Sequence, residues 1–135
     1  YRKMPKIIVG GVEMELNEYE KMLQEMENAQ KPFKKWIKHD ALPKYERYLK
    51  QMVKNEHMRE EYYNVADIFF ERVLRIGFVT FEEIQPDFIQ KEFPNWWPTH
   101  VVYSNLKPHQ VQEYLKKFFI FAELVYGIVI RKYGF

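Results

Sequence analysis

The chain has 135 residues, with 21 Lys and Arg against 19 Asp and Glu, and no cysteine. That length suits a single domain burying roughly two-thirds of the surface its unfolded form exposes, and the 47% apolar and 18% aromatic content excludes a wholly disordered chain. Without cysteine there can be no disulfide, thiolate metal site or cysteine nucleophile.

Residues 1–12, YRKMPKIIVGGV, surround a short β-branched run with three bases, a proline and the Gly10-Gly11 pair. The pattern predicts a basic, extended N-terminal arm over 1–16, or one weak strand. Its apolar run, Ile7 to Val9, is too short for a signal-peptide core, so Sec-type secretion is not expected.

A single helical domain is expected from 17 to 135. Asn17 with Glu20 predicts a capped helix start, and Tyr19, Met22, Leu23 and Met26 follow at helical spacing on one face. The other face is acidic, because residues 13–27 hold six Glu against one Lys.

Pro32 and Pro43 each read as a restart, predicting a basic helix-turn-helix over 31–56 with a tight turn at His39 to Leu42. Between Lys31 and Arg59 nine basic residues face three acids, a local net charge of +6. Phe33, Trp36, Ile37, Tyr45 and Leu49 share the spacing of a buried stripe, so they are expected to pack rather than stack on bases. The lysines then point outward. They are either a solvated face paired with acidic helices, or a surface for nucleic-acid phosphates, which flexible ammonium stems suit better than base reading.

A longer helix is predicted from Met58 to Ile76, ended by Gly77 as a left-handed cap. Thr80 with Glu83 suggests another capping box, followed by a turn and a short helix near Pro86 to Phe93. Residues 94–105, PNWWPTHVVYSN, read as a non-helical connection with a short extended run at His100 to Tyr103. Trp96 and Trp97 lack neighbouring lysines there, which points to an anchor or a plug between subunits.

The final helix is expected over 106–132, capped by Asn105 with Pro108 in its first turn. Its segment Phe118 to Ile130 is apolar apart from Glu123 and Gly127 but spans only about 20 Å as a helix, against the roughly 30 Å of a bilayer core. It suits a core or a subunit interface, with contact to a thin lipid layer as the alternative; Phe118, Phe119, Phe121, Val125 and Tyr126 are its candidate interface residues. The sum is an all-α bundle of about five or six helices.

No catalytic constellation emerges. No two of His39, His57, His100 and His109 are four apart on a helix, so no metal site is predicted, and the lone serine, Ser104, has no base beside it. Gly10-Gly11 lacks the lysine of a phosphate loop. A non-enzymatic protein without a cofactor is the expectation.

The basic arm, the proline-punctuated segment KPFKKWIKHDALPKYERYLKQM and the apolar, helical C-terminal part together resemble the major coat proteins of filamentous archaeal viruses, the lipothrixvirus and rudivirus group. The likeness is one of layout and composition, over residues 1–60 and 106–135. It implies a capsid protein of the virion, held in the host cytoplasm before assembly, whose helices wrap double-stranded DNA and whose subunits stack with copies of themselves or a related second coat protein. In enveloped members the outer surface meets lipid, which would involve 118–130. On this resemblance the phosphate contacts are Arg2, Lys3, Lys6, Lys31, Lys34, Lys35, Lys38, Lys44, Arg47, Lys50 and Lys54. The alternative is a helical interaction or assembly-chaperone protein whose basic block binds an acidic protein partner.

Overall fold

In the computed structural model, which describes residues 6–135, Gly10 and Gly11 take φ of 57° and 83°. Two successive left-handed residues close a two-residue hairpin whose turn matches the twist of its strands. Strands β1 (Lys6–Val9) and β2 (Val12–Glu15) therefore pair antiparallel, with Val9 opposite Val12 and Lys6 opposite Glu15. The expected single strand is a hairpin. Arg2 and Lys3 lie outside the described residues.

Helix α1 (Leu16–Trp36) starts without a side-chain cap; Glu15 holds the cap position and Asn17 lies inside the first turn, so the predicted capping box does not form. The helix runs through Pro32 into a π-helical turn (Ile37–Ala41), and from there directly into α2 (Leu42–Met52). The tight turn expected at His39 to Leu42 is therefore absent, and residues 16–52 are one helical run. A proline clashes with the carbonyl four residues back and cannot donate to it. Here the wider turn relieves Pro43, with the Leu42 N–H reaching back five residues to the Ile37 carbonyl.

Asn55 caps α3 (Glu56–Ile76) by accepting the Met58 N–H at 3.1 Å, and Gly77 ends the helix at φ 111°, as its position predicts. The Gly77 and Phe78 amides return to Leu74 and Val73 at 3.2 Å each, which satisfies carbonyls the helix end would orphan. Thr80 and Glu83 form no box; Phe81–Glu83 is one 3-10 turn, and Glu83 Oε2 accepts the Val79 N–H.

Helix then resumes at Pro86 and passes through a second π turn (Phe88–Glu92) into α4 (Phe93–His100). Trp96 and Trp97 thus lie on a helix, which corrects the expected non-helical connection over 94–100; residues 101–105 are non-helical as expected, with a turn at 101–103 rather than an extended run. Phe93 repeats the earlier solution: its N–H reaches the Phe88 carbonyl, one residue before Pro94.

Helix α5 (Pro108–Tyr126) has Lys107, not Asn105, at its cap, with Gln110 Oε1 accepting the Lys107 N–H at 2.9 Å. It ends at Gly127, φ 68°, before a 3-10 turn at Ile130–Tyr133. The C-terminal helix is therefore shorter than 106–132, because glycine supplies a left-handed stop in mid-segment.

Among the described residues the five α-helices join into four helical rods, over 16–52, 56–76, 86–100 and 108–126, so the expected bundle of five or six is not confirmed. The all-α class holds, with the hairpin added. The core lies between α3 and α5, where Val65, Phe69, Phe70 and Val73 meet Val111, Leu115, Phe118 and Phe119. Its aromatic rings pack largely edge to face, with Phe70 to Phe118 and Tyr45 to Phe118 both at 5.1 Å.

Candidate nucleic-acid interface

The helical run from Lys31 to Lys50 carries most of the basic block. Lys31, Lys34 and Lys35 stand on α1, Lys38 on the π turn, and Lys44, Arg47 and Lys50 on α2, while Lys54 follows the end of α2. All eight are exposed. The opposite face buries Phe33, Ile37, Ala41, Leu42, Tyr45 and Leu49. One amphipathic rod, not two antiparallel ones, presents the charge.

The aromatic residues interleaved with these lysines face inward. Trp36 lies against Phe33, Phe70, Phe81 and Tyr126, with the Tyr126 ring at 5.1 Å, while Tyr48 lies 5.3 Å from Phe121. They pack, as their spacing predicts.

Three of the predicted contacts already have carboxylate partners. Lys44 lies 2.9 Å from Asp40, Lys50 3.4 Å from Glu46, and Lys6 on β1 3.7 Å from Glu13. Among the described residues no carboxylate comes within 4.0 Å of Lys31, Lys34, Lys35, Lys38, Arg47 or Lys54. Exposed pairs of this kind stabilise by a few tenths of a kcal/mol to about 1 kcal/mol, so a phosphate can replace the carboxylate.

Acidic groups of α3 also reach the rod. Lys34 and Lys38 share a groove with Glu27, Asp67, Glu71 and Arg75. Burial and the neighbouring Glu71 push the Asp67 carboxyl up, while Lys38 pulls it down. On the other flank, the Tyr126 hydroxyl and then Lys44 hold the Asp40 carboxyl below its ordinary value.

The residues expected at a subunit or lipid interface divide sharply. Trp97, Phe118, Phe119 and Phe121 are at most 1% exposed, which places them in the core of this chain, the other of the two readings given for them, and not on a subunit or lipid interface. Trp97 instead donates its indole N–H to Ser104 Oγ at 2.9 Å, giving the lone serine a structural task. Trp96 is half-buried, stacked on His100 at 4.7 Å with the Arg72 guanidinium 5.0 Å from its ring. Val125 is exposed and Tyr126 half-buried. Among the described residues no helix is long and apolar enough to cross a membrane.

Two working residues escaped the sequence reading. Gln30 is 7% exposed and donates to the Leu74 and Phe78 carbonyls at 2.8 and 2.9 Å, which fastens α1 to the end of α3. The signal was its position between Met26 and Phe33 in the apolar register. Arg59, counted with the basic block, instead donates to the Val53 and Lys54 carbonyls and closes the α2 to α3 connection.

Elsewhere a cleft lined by His57, Glu60, Glu61, Tyr63 and Tyr114 holds His57 3.3 Å from Glu61, and Tyr114 donates to the same carboxylate. Among the described residues no three His, Asp or Glu gather as a metal would need. No protein-family model matches the chain, and no curated protein or solved structure shows significant similarity to it.

Proposed function

We propose that the chain is a structural virion protein that coats double-stranded DNA through sequence-independent phosphate contacts and self-assembles into a helical filament. The observation that carries this reading is the set of eight exposed cations along and just beyond one rod whose apolar face is buried. Lysine dominates the set, and a point charge on a flexible stem neutralises phosphate without selecting a base. Between Lys31 and Lys50 the rod extends about 29 Å at ~1.5 Å per residue. Duplex DNA offers roughly one charge per 1.7 Å, so phosphates outnumber the cations over that length. The resemblance in layout to archaeal filamentous coat proteins supplies the virion setting.

Filter binding across a salt series tests the DNA part. Retention should be strong at low salt and fall with a logarithmic slope of about −7 if all eight cations engage. No retention at low salt sinks the reading. Negative-stain imaging tests the assembly part, with long filaments expected when linear duplex DNA is added.

A second reading, docking of the basic block on an acidic protein, is favoured by the carboxylates already bound to Lys44 and Lys50. It predicts a stable monomer indifferent to DNA in light scattering.

A further inference from the structure

The amino-terminal part of α1 is the least covered helix segment in the fold. None of residues 16–29 is buried, and the first buried positions are Gln30 and Phe33. Tyr19, Met22 and Leu23 share a face, yet they belong neither to the core nor to the side chains packed on it. At the root Met26 and Glu27 meet the body, Met26 with its sulfur close over Gly77. Residues 1–27 carry six carboxylates against Arg2, Lys3, Lys6 and Lys21, a net charge of −2. The hairpin and this half-helix thus form an acidic arm with an apolar stripe on which Met22 is exposed and Tyr19 and Leu23 are half-buried.

A second apolar surface lies at the carboxy-terminal end of α5. Ile120 is 37% exposed, Leu124 71%, Val125 46% and Val129 48%. Cations border it: Lys116 one turn before Ile120, Lys44 5.7 Å from the Tyr126 ring, and Arg131 and Lys132 in the following turn. Glu123 and Asp40 are the acids among them, Asp40 being paired with Lys44.

We propose that the acidic arm docks its Tyr19, Met22 and Leu23 stripe on the Ile120, Leu124, Val125 and Val129 surface of a second copy. Charge selects this occupant, since an arm of −2 repels another arm and is drawn to the basic border of the patch. The lysine rod offers charge too, but its apolar face is turned into the core. Because the two surfaces differ, the contact is head-to-tail and leaves an arm and a patch free at either end, which permits an open chain of subunits. The proposal rests on the self-association part of the function proposed above and needs no DNA.

Sedimentation of the full chain at low salt without DNA should show mass rising with concentration beyond a dimer. Leu23→Asp and Leu124→Asp each alter one exposed or half-exposed surface and should each weaken association about tenfold or more. Mixed together, they should form one-to-one dimers and stop, because one intact arm and one intact patch remain. Circular dichroism checks their folding; if Leu23→Asp unwinds the arm, Glu18→Lys with Glu20→Lys takes its place. A wild-type chain that stays monomeric, a mixture that stays monomeric, or Leu124→Asp associating like wild type overturns the proposal. So does a monomer whose binding to lipid vesicles is lost in Leu124→Asp. Filter binding on the same variants keeps the readings apart: loss of association with DNA retention intact supports docking, and absent DNA retention in a chain that still associates sinks only the coating.

Discussion

Tyr126 donates its hydroxyl to Asp40, joining the last turn of α5 to the π turn between α1 and α2. Lys44 meets the same carboxylate, and these two contacts hold Asp40 below the ordinary carboxyl value of 3.8. Burial, then Asp40, pushes the Tyr126 phenol up. A depressed carboxyl stabilises the fold above its ordinary value, and that contribution is lost as pH falls through the folded-state value. Tyr126→Phe should therefore lower Tm at neutral pH, with the gap to wild type narrowing in strong acid. Equal gaps in paired melts at the two pH values would contradict this.

Tyr45 is fully buried, and among the described residues its hydroxyl has no hydrogen-bond partner. An unpaired buried hydroxyl carries a desolvation cost of about 1–3 kcal/mol, which removing the oxygen recovers in part. Tyr45→Phe should therefore be neutral or stabilising by up to about 1 kcal/mol, whereas Tyr45→Ala should cost about 3–5 kcal/mol through the cavity left beside Phe118 and Phe121. Urea midpoints of the two variants, measured side by side, test the contrast.

Gln30 serves two carbonyls at the end of α3, beside the place where Met26 crosses Gly77. Gln30→Leu leaves the Phe78 carbonyl without its partner, while the Leu74 carbonyl keeps only the Gly77 N–H, at a cost of about 1–3 kcal/mol. Gly77→Ala forces a Cβ into a left-handed conformation at φ 111° with Met26 Sδ only 3.3 Å away, and should cost about 1–2 kcal/mol. The sites are neighbours, so the double variant should depart from additivity in denaturant melts.

The apolar spacing of α3, its glycine stop and the inward turn of Phe33, Trp36, Tyr45 and Leu49 were all legible in the sequence, since they depend on local periodicity. The two joined helices were not. Pro43 and Pro94 are helix breakers by their own chemistry, yet a π turn precedes each and the helix runs on. A signal does exist: Ile37-x4-Leu42-Pro43 and Phe88-x4-Phe93-Pro94 share one pattern of an apolar residue, four others, an apolar residue and proline. The burial of Phe118, Phe119 and Phe121 depended on α2 and α3 packing against them, which no local pattern specifies. The partly exposed stripe of α1 was equally illegible, because amphipathic spacing shows a face that wants covering and not whether anything covers it.

If the rod binds phosphate, its lysines should not contribute equally. Lys31, Lys34 and Lys35 have no carboxylate within 4.0 Å among the described residues, so replacing any one by alanine should reduce the magnitude of the salt slope of DNA binding by about one. Lys44 already shares Asp40 with Tyr126 and must leave that carboxylate to reach a phosphate. Lys44→Ala should therefore change the slope by less than one while also lowering Tm, since it removes a partner of Asp40. Filter binding over a salt series, with Lys91→Ala on the second π turn as a control, measures the difference. A uniform effect across all positions, control included, would mean that DNA responds to net charge and not to this rod.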